Sequence, residues 1–389
     1  MARTRLLTAA LVAACLLPPS AAAEDWAARL RADAVAFHGA LQASHPGPVD
    51  PENPQFAAQL DAGLARVLAR ADAVDGFAGY WWALREFQAG FDDGHVQLSS
   101  DDAAPDLPAV NETLIPPMKI AEPAGWNGEV PTVPEGFTIN ALASDLLIPR
   151  QMLVLPNGDI LVAEGRGGNA PALRPKDVIA GYIKKQGNTQ VQSGNRITLL
   201  RDANNDGTPE IRTVFIDNLN APYGLAFVDG SVYVANQDAL MRFPYQEGQT
   251  EITAPGEEVA KLPSAINHHW TKSLAASADG SKLYVGIGSN SNVGERGMDV
   301  EEERAVVWEI DRLTGATRTI ARGIRNPTAL AIEPTTNSLW AVVNERDELG
   351  PQLVPDYLTS VRDGAFYGWP YSYWGKNLDP RVHPQKPEL

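Results

Sequence analysis

Two adjacent imidazoles, an indole and an ammonium stand at the head of an apolar segment in the run Asn267-His268-His269-Trp270-Thr271-Lys272-Ser273-Leu274. Histidine ordinarily titrates near neutrality, so this places titratable polar chemistry where a strand begins. A histidine pair could instead ligate a transition metal, but adjacent side chains diverge in extended backbone, which argues against a shared ion. Arg150, Tyr223 and the pair Arg325-Asn326 stand at comparable points of other apolar segments. Charge at the head of a strand is not needed for folding, and ordinary solvated loop polarity is the plain alternative.

The elements that must position these residues form a repeated frame. Each copy is a proline-bearing or equivalent loop, an apolar strand, a tight turn and a second strand. The first copy runs from Ile148 to Leu155, turns at Pro156-Asn157-Gly158-Asp159 and returns over Ile160 to Ala163. The second runs from Ala221 to Phe227, turns at Asp229-Gly230 and returns to Ala235. The third is the histidine stretch followed by Ala275 to Val285, and the fourth runs from Arg325 to Ile332, turns around Asn337 and ends at Val343. Further strand pairs lie between copies, Arg196–Leu200 with Ile211–Phe215 and Ala305–Ile310 with Ala316–Ile320. Four short strands per period of about 50–70 residues indicate β-propeller blades, and four blades are expected. Related by rotation, the four strand heads face one channel mouth.

Composition bounds the partners. The chain has 389 residues and a formal charge of -16, with 30 basic against 48 acidic side chains (-18) once Arg3 and Arg5 leave. That field repels nucleic acid and anionic membrane, so an anionic ligand needs a local cluster of Arg or Lys. Residues 1–23 show the basic, apolar and small-residue zones of a signal peptide, with cleavage expected before Glu24 and a periplasmic or secreted location. No stretch is long enough for a transmembrane segment. Cys15 is the sole cysteine, which forbids an intramolecular disulfide. Val12-Ala13-Ala14-Cys15 resembles a lipoprotein box, but Leu16 and Leu17 prolong the apolar run, so ordinary cleavage is preferred to lipidation.

Residues 24–98 read as a small α-helical domain. Trp26, Leu30, Ala34, Phe37 and Leu41 share one helical face, Phe56, Leu60, Leu64 and Val67 a second behind the Asn53-Pro54 start, and Phe77 to Phe91 a third. A Pro-rich linker, residues 99–135, separates it from the incomplete propeller at 136–389, with the boundary near residue 110. Phe91 to Leu98 together with Ser44 to Pro48 resembles the amino-terminal helical region of tail-specific serine peptidases, over about the first hundred residues. Those enzymes use a Ser–Lys pair in a later domain that nothing downstream resembles, so His45 and His95 read as capping or packing residues.

Asn195 to Asp202, Asn267 to Leu274, Gly286 to Asn290, Gly323 to Pro327, Asn344 to Leu349 and Phe366 to Pro370 resemble, in the same order, the sorbosone dehydrogenase branch of the soluble sugar dehydrogenases that use pyrroloquinoline quinone. The resemblance spans roughly residues 118–389. It implies an all-β six-bladed-type β-propeller with the quinone at the channel mouth. It further implies His269 as the general base and Arg325 as the catalytic cation on the quinone oxygen. Arg325, Asn326, Arg150, Lys272 and Trp369 would contact the cofactor, and the backbone carbonyls of Glu345 and Arg346 would hold a Ca2+ ion. The partners would be a sugar or aldehyde substrate and a soluble electron acceptor.

The chain ends at Leu389 after the fourth frame, so an incomplete propeller is expected, with a homodimer as one route to closure. A non-catalytic binding module and a peptidase-related fusion are the alternatives. Asp202 to Gly207 resembles the start of a calcium loop, but Thr213 stands where a bidentate Glu belongs, so an Asx-rich hairpin turn is preferred.

Overall fold

The computed structural model describes residues 25–44, 48, 54–89, 107–111, 129–168, 175–186, 191–350, 352–375 and 377–387. Residues 1–24, Asn53, His45 and His95 lie outside the described residues, and so do the expectations placed on them. The chain divides into two compact units, Met1–Pro105 and Asp106–Leu389. Among the described residues no helix is long and apolar enough to cross a membrane.

Among its described residues the first unit contains three α-helices: α1 (Trp26–Ser44), α2 (Phe56–Arg70) and α3 (Phe77–Ala89). Apolar residues recurring every three to four positions give each helix one face to bury. Leu30, Ala34, Phe56, Leu60, Val67, Tyr80, Leu84 and Phe87 form the shared core, with Trp26, Phe37 and Leu41 packed at its margin. Tyr80 donates its hydroxyl to Asp33 across this core at 2.6 Å. At the start of α2, Gln55 occupies the cap position and makes no side-chain cap bond. That helix is therefore held by its buried face.

The second unit is built of antiparallel blades. The first is β1 (Pro149–Val154), β2 (Ile160–Glu164), β3 (Arg196–Arg201) and β4 (Ile211–Ile216), hydrogen-bonded in that order. The second is β5 (Gly224–Val228), β6 (Ser231–Ala235), β7 (Ala239–Pro244) and β8 (Glu257–Lys261). The third is β9 (Leu274–Ala276), β10 (Lys282–Ile287), β11 (Val306–Asp311) and β12 (Thr317–Arg322). The fourth, β13 (Pro327–Ile332), β14 (Leu339–Val343) and β15 (Tyr357–Ser360), has three strands. These are four blades in a β-propeller arrangement.

Period-2 side-chain alternation explains how the blades stack. In β5, Leu225 packs with Leu161, Ile197 and Leu199 of the first blade, whereas Ala226 and Val228 pack with Leu274, Leu283 and Val285 of the third. Val307, Ile320 and Ile324 join Leu330, Leu339 and Val343 in the same way between the third and fourth blades. Strands buried on both faces read as continuous apolar runs, which is why the frames stand out in the sequence.

The fourth blade departs from the expected four strands. After β15 the chain turns and lays β16 (Ala365–Phe366) parallel to β12. The amides of Gly364, Tyr367 and Trp369 donate to Ile320, Arg322 and Gly323 of the third blade, so the segment closes that blade's outer edge instead of the fourth's. A hairpin of β17 (Ser372–Tyr373) and β18 (Asn377–Leu378) follows. A helix, α4 (Pro175–Gln186), is inserted between β2 and β3, at the end of the first blade where β1 begins.

Candidate active site

Backbone hydrogen bonds tie the strand heads together. His269 N donates to Ser289 O at 3.2 Å, and Ser289 N donates to Arg325 O at 2.8 Å. Gly288 permits this approach, because a Cβ there would lie 2.5 Å from His269 Cβ and 2.4 Å from Asn326 Oδ1.

The His269 ring sits 2.9 Å through Nδ1 from both the carbonyl and the hydroxyl oxygen of Ser289. A carbonyl can only accept, so Nδ1 carries the proton. The Ser289 hydroxyl donates onward to Ser291 O at 2.6 Å, leaving its oxygen free to accept. Nε2 then bears the lone pair and has no hydrogen-bond partner among the described residues. His269 is partly exposed yet densely surrounded. Burial first, then the positive charge of Arg325 and the neighbouring His268, hold its pKa well below the usual imidazole range, against the opposing Ser289 bond. A neutral imidazole with an open basic nitrogen results.

Two residues that the sequence reading missed hold this arrangement. Glu301 is 6% exposed, accepts Asn290 N at 2.7 Å and takes the Ser291 hydroxyl on its other oxygen. Burial raises its pKa against those bonds. Asn290 Oδ1 in turn accepts from Asn267 N at 2.9 Å, so Glu301 steadies both chains flanking His269. Asn292 receives the Arg325 guanidinium through Oδ1 at 2.8 Å and its carbonyl at 3.1 Å, and holds the 347 backbone with both ends of its side chain. The signal available was the run Ser289-Asn290-Ser291-Asn292, polar yet directly continuing an apolar strand.

Arg325 is 3% exposed and its donors are all committed. Nε and one terminal nitrogen reach Asn292, the other reaches Asn344 O at 3.1 Å and Glu345 O at 2.6 Å, and Asp347 Oδ2 lies at 3.5 Å. Trp369, 2% exposed, donates its indole N–H to Asn292 O at 2.9 Å, placing it within the same cage. Arg346 is buried against Glu345, Pro370 O, Ser372 O and Asp379. Glu345 O accepts from Arg325, and Arg346 O accepts from Val354 N at 3.3 Å. A divalent cation at these two carbonyls would lie beside a buried guanidinium, so this donor pair does not fit the expected Ca2+ ion.

Lys272 is fully buried, and its ammonium donates to Asn267 Oδ1 at 2.9 Å and Trp270 O at 3.1 Å. Burial and the charge of Arg304 hold its pKa well below the usual lysine value. Asn326 accepts the Thr271 hydroxyl at 3.2 Å. Arg150 differs from these. It donates Nε to Gly165 O at 2.9 Å and stacks over Trp270 with 5.0 Å from guanidinium carbon to ring centroid. Its two terminal nitrogens have no partner among the described residues. Tyr223 meets Trp270 edge-on at 5.7 Å and donates to Thr328 O at 3.0 Å. The structure thus groups Arg150, Tyr223 and Trp270 on one side of the His269 backbone, and Arg325, Trp369 and the 344–347 loop on the other.

His268 is exposed, its ring edge-on to His269 at 4.7 Å. Asp202, Asp206 and Glu210 bring carboxylate oxygens within 4.8 Å of one another in the β3–β4 loop. Those oxygens accept the loop's own amides, including Gly207 N at 2.7 Å and Ala203 N at 2.8 Å, as an Asx-rich turn does.

A family model described as TrAA12-like matches residues 131–355. An uncharacterized protein of Borreliella burgdorferi is 25% identical over 171 residues, which is 41% of this chain and 43% of that protein. The carbohydrate-active enzyme of family AA12 from Trichoderma reesei superposes in its iodide structure with a TM-score of 0.50 and 18% identity, over 69% of this chain and 66% of that one. Its calcium structure gives a TM-score of 0.50 and 19% identity, over 68% and 65%. The chain therefore spans less than two thirds of the length of each of these relatives.

Proposed function

The chain belongs to the TrAA12-like family, and from that membership we propose that it is a quinoprotein oxidoreductase oxidising a sugar or sugar aldehyde, aldose- or sorbosone-like, with pyrroloquinoline quinone as its cofactor. The observation that carries the reading is the His269 ring, neutral, with Nδ1–H pinned on Ser289 and Nε2 open. Nε2 would take the proton of the substrate hydroxyl or of an aldehyde hydrate. The likeness to a carbohydrate-active enzyme of Trichoderma reesei and the order of the sequence motifs support the substrate class.

When bound, the quinone supplies the acceptor for the substrate's hydride. Its carboxylates would be held by the terminal nitrogens of Arg150, which have no partner among the described residues, and by the amide of Asn326. Arg325 acts in this reading through its charge and its grip on the 344–347 loop: it keeps His269 unprotonated and raises the positive potential near the site. Residues 1–23 support export to the periplasm, where a soluble acceptor would reoxidise the cofactor.

A second reading, a carbohydrate-binding module without catalysis, is favoured by one observation: Arg325 and Lys272 direct their donors to the protein's own oxygens. Reconstitution with pyrroloquinoline quinone, with and without calcium, followed by dye reduction with aldoses and sugar aldehydes separates the two. Turnover that falls when His269 is changed to Ala supports the enzyme. Sugar binding without turnover in folded, quinone-loaded protein favours the module.

A further inference from the structure

One short turn before β11 reaches both chains that flank the His269 ring. It is a 3₁₀ turn, Asp299–Glu301, followed by Arg304, whose amide donates to Glu301 O at 3.0 Å. Glu301 accepts from the 289–292 chain, through the Asn290 amide and the Ser291 hydroxyl. Arg304 donates to the other chain. It is 4% exposed, and its terminal nitrogens reach Pro263 O at 2.7 Å, His269 O at 2.8 Å and Asn267 Oδ1 at 3.3 Å. Asn267 Oδ1 is shared with the Lys272 ammonium, and its amide nitrogen donates to Gln237 Oε1 at 3.1 Å. Lys272 also donates to Trp270 O, so the carbonyls of His269 and of the residue after it are both held by buried cations.

The three acceptors of Arg304 are neutral oxygens, Glu301 acts on it only through space, and its buried Nε has no partner among the described residues. A buried guanidinium with an idle donor and no bonded carboxylate is a costly way to stabilise a loop. What it supplies is position. A rigid fork of donors spans three oxygens of one loop at once, which neither a lysine ammonium nor a glutamine amide can reproduce.

We propose that Arg304 is a positioning residue of the candidate site, anchoring the main chain of His269 through three oxygens of the 263–269 loop so that the imidazole keeps its Nδ1–H on Ser289 and leaves Nε2 open. This deepens, and rests on, the reading of His269 as the base. Burial aside, the groups that bear on the ring are Arg325, then His268, then Arg304, opposed by the Ser289 bond. Arg304 is the weakest of the three, so its part is to hold geometry more than to repel a proton.

Nitrogen-15 NMR of the histidine rings in the full chain tests this without quinone or turnover, the His269 signals being assigned by their absence in His269→Gln. Wild type should show the Nδ1–H tautomer alone at about pH 7.5, above the ordinary histidine range. Arg304→Gln should show both tautomers, and Arg304→Lys, which keeps the charge but not the fork, a smaller share of the second. In quinone-reconstituted protein Arg304→Gln should lower kcat about ten- to a hundredfold with KM within about twofold, and Arg304→Lys should recover part of the loss. A single unchanged tautomer in folded Arg304→Gln, or in folded Arg304→Lys where Arg304→Gln does not fold, would overturn the proposal and leave Arg304 a structural residue of the loop. Both tautomers already present in wild type would overturn it as well. Tautomer mixing in the variants with no turnover in quinone-loaded wild type would sink the oxidoreductase reading and leave the positioning role standing.

Discussion

Arg150 and Arg325 occupy comparable places in the first and fourth frames, yet they do opposite things. Arg325 is 3% exposed and directs its donors to Asn292, Asn344, Glu345 and Asp347. Among the described residues Arg150 makes one hydrogen bond and its terminal nitrogens have no partner. A buried cation saturated by carbonyls organises a loop and shapes the local potential, whereas a stacked, half-open one is prepared to receive a ligand. Residue type at a strand head does not separate these roles; the accounting of donors does.

The largest effect expected from this contrast is on stability. Arg325→Met leaves the carbonyls of Asn344 and Glu345 without the Arg325 donor and removes one of the two donors to Asn292 O, and should lower unfolding stability by about 3–5 kcal/mol in urea titration. A change under about 1 kcal/mol would mean that the cage is not structural. Glu301→Gln weakens the acceptor that holds the Asn290 N–H and the Ser291 hydroxyl and should cost about 1–3 kcal/mol, with a larger loss in kcat than in KM because the chain segments carrying His269 and Ser289 lose their brace. Normal kcat and stability would remove Glu301 from the positioning scheme. Arg150→Gln should leave stability within about 0.5 kcal/mol of wild type while anion affinity falls. A large destabilisation there would erase the distinction between the two arginines.

The smallest effect concerns pH. The His269 pKa is depressed in the folded protein, so on acidification the unfolded chain takes up the proton first. Stability from this group is present above the ordinary value of about 6.5 and declines below it. The acid limb of activity should likewise lie below pH 6.5. His268→Gln removes one of the causes of the depression and should move that limb upward. A downward shift would contradict the electrostatic account.

The blades were legible because inner strands such as Leu225 to Val228 are apolar on both faces and end in Gly-bearing turns such as Asp229-Gly230, both at positive φ. The fourth blade's outer edge was not, since Ala365-Phe366 carries no pattern that distinguishes pairing with β12 from pairing with β15. Helix α4 was equally silent: Val178, Ile179 and Tyr182 are 65%, 51% and 62% exposed, so no buried face advertised it. At the site, His269, Arg325 and Asn326 were found by type and position. Their partners Glu301 and Asn292 were hidden, because a buried acid and a buried amide look like loop polars until the hydrogen bonds they accept are known.

The central claim is that His269 is the base of a quinone-linked sugar oxidation. Single-turnover bleaching of the bound quinone's absorbance by a saturating aldose tests it, comparing wild type with His269→Ala at equal quinone occupancy. The account predicts bleaching in wild type and a rate about 10²- to 10⁴-fold slower in the variant. Equal rates in the two proteins, or quinone-loaded wild type that no aldose or sugar aldehyde bleaches, would contradict it.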